Sequence, residues 1–302
     1  MSRMAPEHKI FDRGLGVRRR QRMASSAPEV DFLLARVAED FIERLSVTRR
    51  TFPRAAAIGA YHGLVGARLM GISGIETMVS CEAAPALLHH APGLRVQADE
   101  EALPFRNESL DLIVSALSLQ FANDLPGALI QIRRALKPDG LFLGALLGGE
   151  TLTELRQALL SAEEELEGGA SPRVAPFADV RDLGSLLQRA QFALPVADAE
   201  IVRVTYAHPL ALMREVRAMG ASNTLLSRRR TPLRRATLAR ACEIYQQRFG
   251  LANGRVPATF EIMTMTGWAP HESQQKPLAP GSAQVSLAQV LGKGSGPKTS
   301  GK

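Results

Sequence analysis

Carboxylates at the ends of short apolar runs are the residues of this chain best suited to chemistry. Glu82 follows TMVSC, while Asp99 and Glu100 follow LRVQA, and each run has the make-up of a strand. An ionised carboxylate only accepts hydrogen bonds, so at a strand end it suits a ligand that offers hydroxyl or amine donors. Gly59 and Gly63 bracket the loop GAYHG after the first apolar run, where a missing side chain lets backbone approach a ligand. Ser115 and Leu117 lie at and just beyond the end of the run LDLIVS, and Gln120 could orient an acceptor amide or guanidinium. Plainer readings exist for several of these residues. Glu82 also suits a helix N-terminus, Asp99 and Glu100 a cap before LPF, and Gln120 an ordinary polar turn.

Positioning these groups requires alternating strands and helices. Apolar periodicity predicts strands over 55–58, 77–80, 94–98, 110–115 and 141–146, with helices over 64–70, 85–90 and 125–136 between them. Pro138 and Gly140 close the last helix and turn the chain into its strand. The expected architecture is α/β, a doubly wound and mostly parallel sheet with helical N-terminal and C-terminal additions. Ligands then belong at the carboxyl ends of the strands. Helices are expected over 17–25 and 30–45, the second with Phe32, Leu33, Val37, Phe41 and Leu45 on its core face. Further helices are expected over 151–167 and 180–190, and runs 196–199 and 200–206 are predicted to finish the sheet as an antiparallel pair. Residues 209–250 look helical. Four regions are expected: a basic helical segment 1–50, the sheet domain 51–206, a C-terminal region 207–292, and a Gly/Lys/Ser tail 293–302.

The block ADEEALPF, LDLIVSALSLQFANDLPGAL, RRALKPDGLFLGALLGGETLTEL resembles the class I S-adenosylmethionine (SAM) methyltransferases. The segments IFDRGLGVRRRQRMA, GGASPRVAPFADVRDLGSLLQRAQF and VPATFEIMTMTGWAPHESQQKPLAPGSAQVSL look like the mitochondrial complex I assembly factor 5 family, and more distantly the malonyl-carrier-protein methyltransferases of biotin synthesis. The resemblance implies a Rossmann-like methyltransferase fold acting on a protein substrate in the assembly of respiratory complex I. The alternatives it carries are an arginine hydroxylase of a complex I iron–sulfur subunit and a non-catalytic assembly factor. It also implies S-adenosyl-L-methionine as cofactor, held by Gly59, Gly63, Glu82, Asp99, Glu100, Ser115 and Leu117, with Gln120 toward the acceptor. The chain departs from the family pattern at Ala57, where an acid is expected, and at Ala60, Tyr61 and His62 in the loop centre. Losing one charge-assisted hydrogen bond costs about 1.5–3 kcal/mol, a roughly tenfold to hundredfold weakening. Tyr61 and His62 could also occupy the cofactor's space. No catalytic residue is assigned.

Composition narrows the partners. In 302 residues there are two cysteines, Cys81 and Cys242, which supply neither a disulfide framework nor a zinc cluster and suit a reducing compartment. No apolar run approaches the ~18 residues of a membrane span. The nine residues before Ile10 are too few for a transit peptide, so a cytoplasmic location is expected. Net charge is +7, concentrated at Arg18, Arg19, Arg20 and Arg22 and at Arg228, Arg229, Arg230, Arg234 and Arg235. With aromatic content at 5%, no stacking pattern for nucleic acid emerges, and a docking surface for a protein partner is favoured. The runs leave open peripheral contact with an anionic membrane surface. None of His8, His62, His89, His90, His208 and His271 sits in a His-x-Asp/Glu element, and no metal site is predicted.

Overall fold

Seven strands form one sheet in the order β3-β2-β1-β4-β5-β7-β6, in a computed structural model that describes residues 9–176 and 179–275. The strands are β1 (Arg54–Ile58), β2 (Thr77–Glu82), β3 (Leu94–Gln97), β4 (Leu110–Ala116), β5 (Leu136–Leu147), β6 (Ala193–Tyr206) and β7 (Val256–Trp268). The first five are parallel, and β7 runs antiparallel to both β5 and β6. The chain reverses its direction of winding between β1 and β4, the point where open α/β sheets bind ligands.

Side chains alternate across the central strands, and both faces are covered. Ala55, Ala57, Leu112 and Val114 pack with Val37, Phe41 and Leu45 of α2 (Phe32–Ser46), Leu69 of α3 (Leu64–Leu69) and buried residues of α6 (Thr153–Glu167) and α9 (Arg235–Phe249). Ala56, Ile58 and Ile113 face α5 (Leu125–Ala135) and α7 (Val180–Arg189) through Leu129, Ile132, Leu183 and Leu187. The remaining helices are α1 (Arg13–Met23), the single turn α4 (Pro85–Leu88) and α8 (Pro209–Ala218). The expected doubly wound sheet is present.

Four expectations need correction, the first being that residues 209–250 are not helical throughout: α8 ends at Ala218 and α9 begins only at Arg235. The helix predicted over 17–25 begins at Arg13, because the Asp12 carboxylate accepts the Leu15 N–H at 2.9 Å and caps it there. Runs 196–199 and 200–206 form one strand: no turn residue divides them, and their antiparallel partner is β7, more than fifty residues further on. The sheet therefore does not end at residue 206, since β7 is threaded between β5 and β6. The Lys-Pro-Asp-Gly turn is a bulge inside β5, with Asp139 at φ +65° and the register stepping from Leu110↔Leu136 to Leu112↔Leu141. Residues up to Pro270 form one compact unit and His271 onward belong to a second, of which residues 271–275 are described as a turn closed by the Gln274 N–H donating to the His271 carbonyl. His8 and every residue beyond 275, the tail 293–302 included, lie outside the described residues.

Phe260 of β7 is fully buried and meets Phe32 of α2 edge to face at 5.9 Å. Phe260→Ala should lower unfolding free energy by about 3–5 kcal/mol in urea titration, the cost of emptying a core aromatic site. A loss below about 1 kcal/mol would make β7 a peripheral addition instead.

Candidate functional site

At the carboxyl ends of β1 to β4 the chain buries two acids side by side. Glu82 ends β2 with no exposed surface, and Glu100 follows β3 with 2%. Glu82 accepts the N–H of Tyr61 at 3.1 Å and of Ala84 at 2.9 Å, while Glu100 accepts the hydroxyl of Ser118 and the guanidinium of Arg13. Between them lies Arg20, 3.5 Å from Glu82 and 3.7 Å from Glu100, its guanidinium 5.7 Å from the centroid of the Tyr61 ring. Burial pushes the Glu82 carboxyl up, against the pull of Arg20. At Glu100 burial pushes the same way, but Arg20 and Arg13 together overcome it and hold that carboxyl down. Arg20 stays charged, because the two acids outweigh its own desolvation.

These arginines reach the sheet from α1. Arg13 and Arg20 are seven residues apart, so they share one face two helical turns along. Arg13 binds Asp99 at 2.6 Å and the Phe121 carbonyl at 3.1 Å. No residue within α1 is itself fully buried; Val17 packs against Ala84 and Leu87, and the two arginines add the charge contacts that fasten the helix. Its other arginines behave differently. Arg19 is held less basic than usual, first by burial and then by Arg228, with Arg217 and Arg22 adding to it, so the early and late basic runs meet on one surface. Arg20 is not part of that surface, contrary to its expected place in a docking face.

The loop after β1 departs from a glycine-rich cradle. Gly59 sits at φ +62°, and a Cβ there would come within 2.0 Å of the Ser118 hydroxyl oxygen, so only glycine fits. Gly63, at φ +87°, starts α3 with its Cα against Ala91, and a Cβ would lie 2.4 Å from the Ala91 Cα. Tyr61 adopts φ +49° and donates its hydroxyl to the Leu117 carbonyl at 2.7 Å, with burial pushing its pKa up to about 12. Its ring lies against the Arg20 guanidinium. Ser115 donates its hydroxyl to the Ile58 carbonyl at 3.0 Å and ties β4 to β1, leaving only oxygen lone pairs for a ligand. Leu117, at φ +53°, offers the site its carbonyl, which also accepts the Gln120 side-chain amide at 2.8 Å. Asp99 is half-exposed at the rim and accepts the Glu101 N–H at 2.8 Å, a local capping bond.

The structure thus brings Gly59, Glu82, Glu100, Leu117 and Gln120 to one strand-end cluster, with Asp99 at its edge and Gly63 behind it. Sequence reading missed Arg13, Arg20 and the pairing of His62 with Asp31, whose ring Nε2 and carboxylate oxygen lie 3.3 Å apart. The seven-residue spacing of the two arginines was the available signal; nothing in the sequence pairs residues 31 and 62. Among the described residues no group of three His, Cys, Asp or Glu side chains could hold a metal ion.

Arg20→Ala should destabilise the fold by about 3–5 kcal/mol at neutral pH, because it leaves buried carboxylates without their shared cation. The deficit should shrink as pH falls and the carboxyls take up protons, and Glu82→Gln in the same chain should recover part of it at neutral pH. Urea titrations at pH 7 and pH 5 check this; an equal deficit at both pH values, unrelieved by Glu82→Gln, would contradict it.

Comparison with known proteins agrees with this architecture. Residues 56–144 match the family model described as a methyltransferase domain. The chain is 41% identical over 289 residues to the arginine-hydroxylase NDUFAF5, mitochondrial, of Danio rerio, covering 93% of this chain and 89% of that one. To the human protein of the same name it is 40% identical, covering 93% and 83%. The malonyl-[acyl-carrier protein] O-methyltransferase of Halorhodospira halophila is 38% identical over 248 residues, covering 80% and 82%. The crystal structure of the YcgJ protein of Bacillus subtilis shares the fold, with a TM-score of 0.54 at 14% identity over 78% of this chain and 99% of that one. A class I methyltransferase sheet, an acidic strand-end cluster and this level of identity lead to one conclusion: the chain belongs to the arginine-hydroxylase NDUFAF5 family.

Proposed function

We propose that this chain modifies an arginine of a protein substrate during assembly of respiratory complex I. The observation that carries the reading is identity of 39–41% along 93% of the chain to vertebrate relatives named arginine-hydroxylase. Arginine hydroxylation is the reaction favoured by that kinship. Methyl transfer is the second reading, favoured by the methyltransferase domain and by the strand-end acids. The proposed partner is an iron–sulfur subunit of complex I, met by the basic surface of Arg19, Arg22, Arg217 and Arg228. Cytoplasm is the compartment we propose, in keeping with two buried free cysteines; the arginine-hydroxylase relatives carry the word mitochondrial in their names. Among the described residues no helix is long and apolar enough to cross a membrane.

The cofactor of the methyltransferase fold is S-adenosyl-L-methionine, and the donor set at the strand ends fits it. Glu82 and Glu100 lie in ion-pair reach of the Arg20 guanidinium, and as acceptors they suit the hydroxyls of a ribose. When bound, the cofactor supplies an electrophilic methyl group. The cavity beside Arg20 measures about 30 Å³, room for about two or three water-sized groups, so Arg20 must leave Glu82 before a nucleoside can reach it. Arg20→Ala should therefore raise affinity for S-adenosyl-L-methionine by about tenfold in calorimetric titration, the worth of one charge-assisted contact no longer in competition. Equal or weaker binding by the folded variant would separate Arg20 from the cofactor's place.

Deleting the gene should lower assembled complex I. Mass spectrometry of the iron–sulfur subunit should then find an arginine lighter by one oxygen if the reaction is hydroxylation, or by a methylene if it is methylation. Unchanged complex I with an unaltered subunit mass would remove the proposal.

A further inference from the structure

Beside the acid cluster lies a cavity of about 60 Å³ with largely apolar walls, two of whose lining residues carry buried, unpaired acceptors. Val30, Leu33, Leu34, Leu147 and Met219 provide the walls, and Tyr61, His62, Leu117 and Gln120 provide the polar groups. Two buried atoms on these residues have no hydrogen-bond partner: Gln120 Oε1 and His62 Nδ1. Leaving buried polar atoms unpaired is costly, and where it occurs an unseen ligand or water is the usual account.

Both orphans are acceptors. Gln120 Nε2 donates to the Leu117 carbonyl at 2.8 Å, which fixes the amide with its oxygen free. His62 Nε2 lies 3.3 Å from the Asp31 carboxylate, so the ring proton belongs on Nε2 and a lone pair remains on Nδ1. His62 is 8% exposed, and burial favours its neutral form, which keeps that lone pair. A site made of acceptors recognises a group made of donors. Guanidinium has five N–H donors and no acceptor, and Asp31 places a negative charge one hydrogen bond behind the imidazole. A water needs ~10–15 Å³ of such volume, so the cavity holds about four to six water-sized groups, room for the four heavy atoms of a guanidinium.

We propose that this cavity binds the guanidinium of the substrate arginine, with Gln120 and the Asp31–His62 pair as its acceptors. The proposal rests on the reading that the substrate is a protein arginine. Tyr61 and Phe121 line both this cavity and the smaller one beside Arg20, so the bound guanidinium lies one aromatic layer from the acid cluster. This gives the departure from a glycine-rich loop a purpose: Tyr61 partitions the two cavities, and His62 belongs to the acceptor side.

The full chain labelled with ¹⁵N-histidine tests this, its His62 ring signals identified by their loss in His62→Gln. Titration with N-acetyl-arginine methylamide should shift the His62 resonances saturably. The citrulline analogue, which replaces guanidinium with a neutral urea, and the lysine analogue should each bind about tenfold more weakly or worse. Folded Gln120→Leu should weaken the arginine probe by a similar factor. A silent His62, equal binding of arginine and citrulline probes, or unchanged affinity in Gln120→Leu overturns the proposal. A modified arginine in the subunit beside a silent His62 overturns the pocket while the function stands; an unmodified arginine beside a responsive His62 supports the guanidinium site and overturns the function.

Discussion

Two carboxylates buried side by side at the end of a parallel sheet cannot both stay ionised without a cation between them, and much of this site follows from that constraint. Glu82 and Glu100 lie within 4 Å of the same guanidinium, Arg20, which itself has 11% of its side chain exposed. In such surroundings each unpaired charge would cost several kcal/mol, so the acids and the arginine hold one another in place. Arg13, two turns earlier, adds a second cation to Glu100 and reaches Asp99. Together they help set where α1 lies, although that helix fully buries none of its own residues. A helix fastened in part by charge can be exchanged for another donor-rich group more readily than one fastened by apolar area alone, which explains how a site can be both closed and open to a ligand.

The loop after β1 carries the other half of the arrangement. Glycine at 59 is demanded by the Ser118 hydroxyl, which leaves no room for a Cβ. Tyrosine at 61 accepts a left-handed backbone, sparsely populated by bulky residues. Its amide donates to Glu82, its hydroxyl to Leu117 and its ring face to Arg20, and these contacts hold it there. The next residue, His62, then reaches across to Asp31 at the start of α2. Substituting a small-residue cradle with Tyr-His thus changes what the site can contact: one residue closes the acid cluster and the next lines a largely apolar cavity, two of whose lining residues carry unpaired acceptors.

Kinship to both hydroxylases and methyltransferases fits this physical picture. The sheet and the matched methyltransferase domain are the common ground with the methyltransferases, and the strand-end acids of this chain suit a ligand that offers several donors. The chain also presents an arginine-rich surface. That surface combines Arg19 and Arg22 of α1 with Arg217 and Arg228, residues whose mutual repulsion favours an acidic partner.

Much of the fold was legible because it is written in local pattern. Alternating apolar runs, Gly and Pro punctuation and the amphipathic spacing of Leu33, Val37, Phe41 and Leu45 determine strands and helices within a few residues, and a doubly wound order follows from them. The acids at the ends of β2 and β3 were visible for the same reason: their place is set by the strand that precedes them. Pairing over long distances was not visible. The partner of β6 lies beyond two intervening helices, and whether 196–206 turns back on itself or waits for β7 depends on core packing that no local window contains. The same holds for Arg20 and for His62 with Asp31. In sequence Arg20 reads like any arginine of a basic run, and only the approach of α1 to the strand ends makes it the counter-charge of two buried acids. Sequence by itself determined which residue types stand at which strand ends; tertiary structure decided which charges and lone pairs they meet, because desolvation and long-range contact act only once the chain has closed on itself.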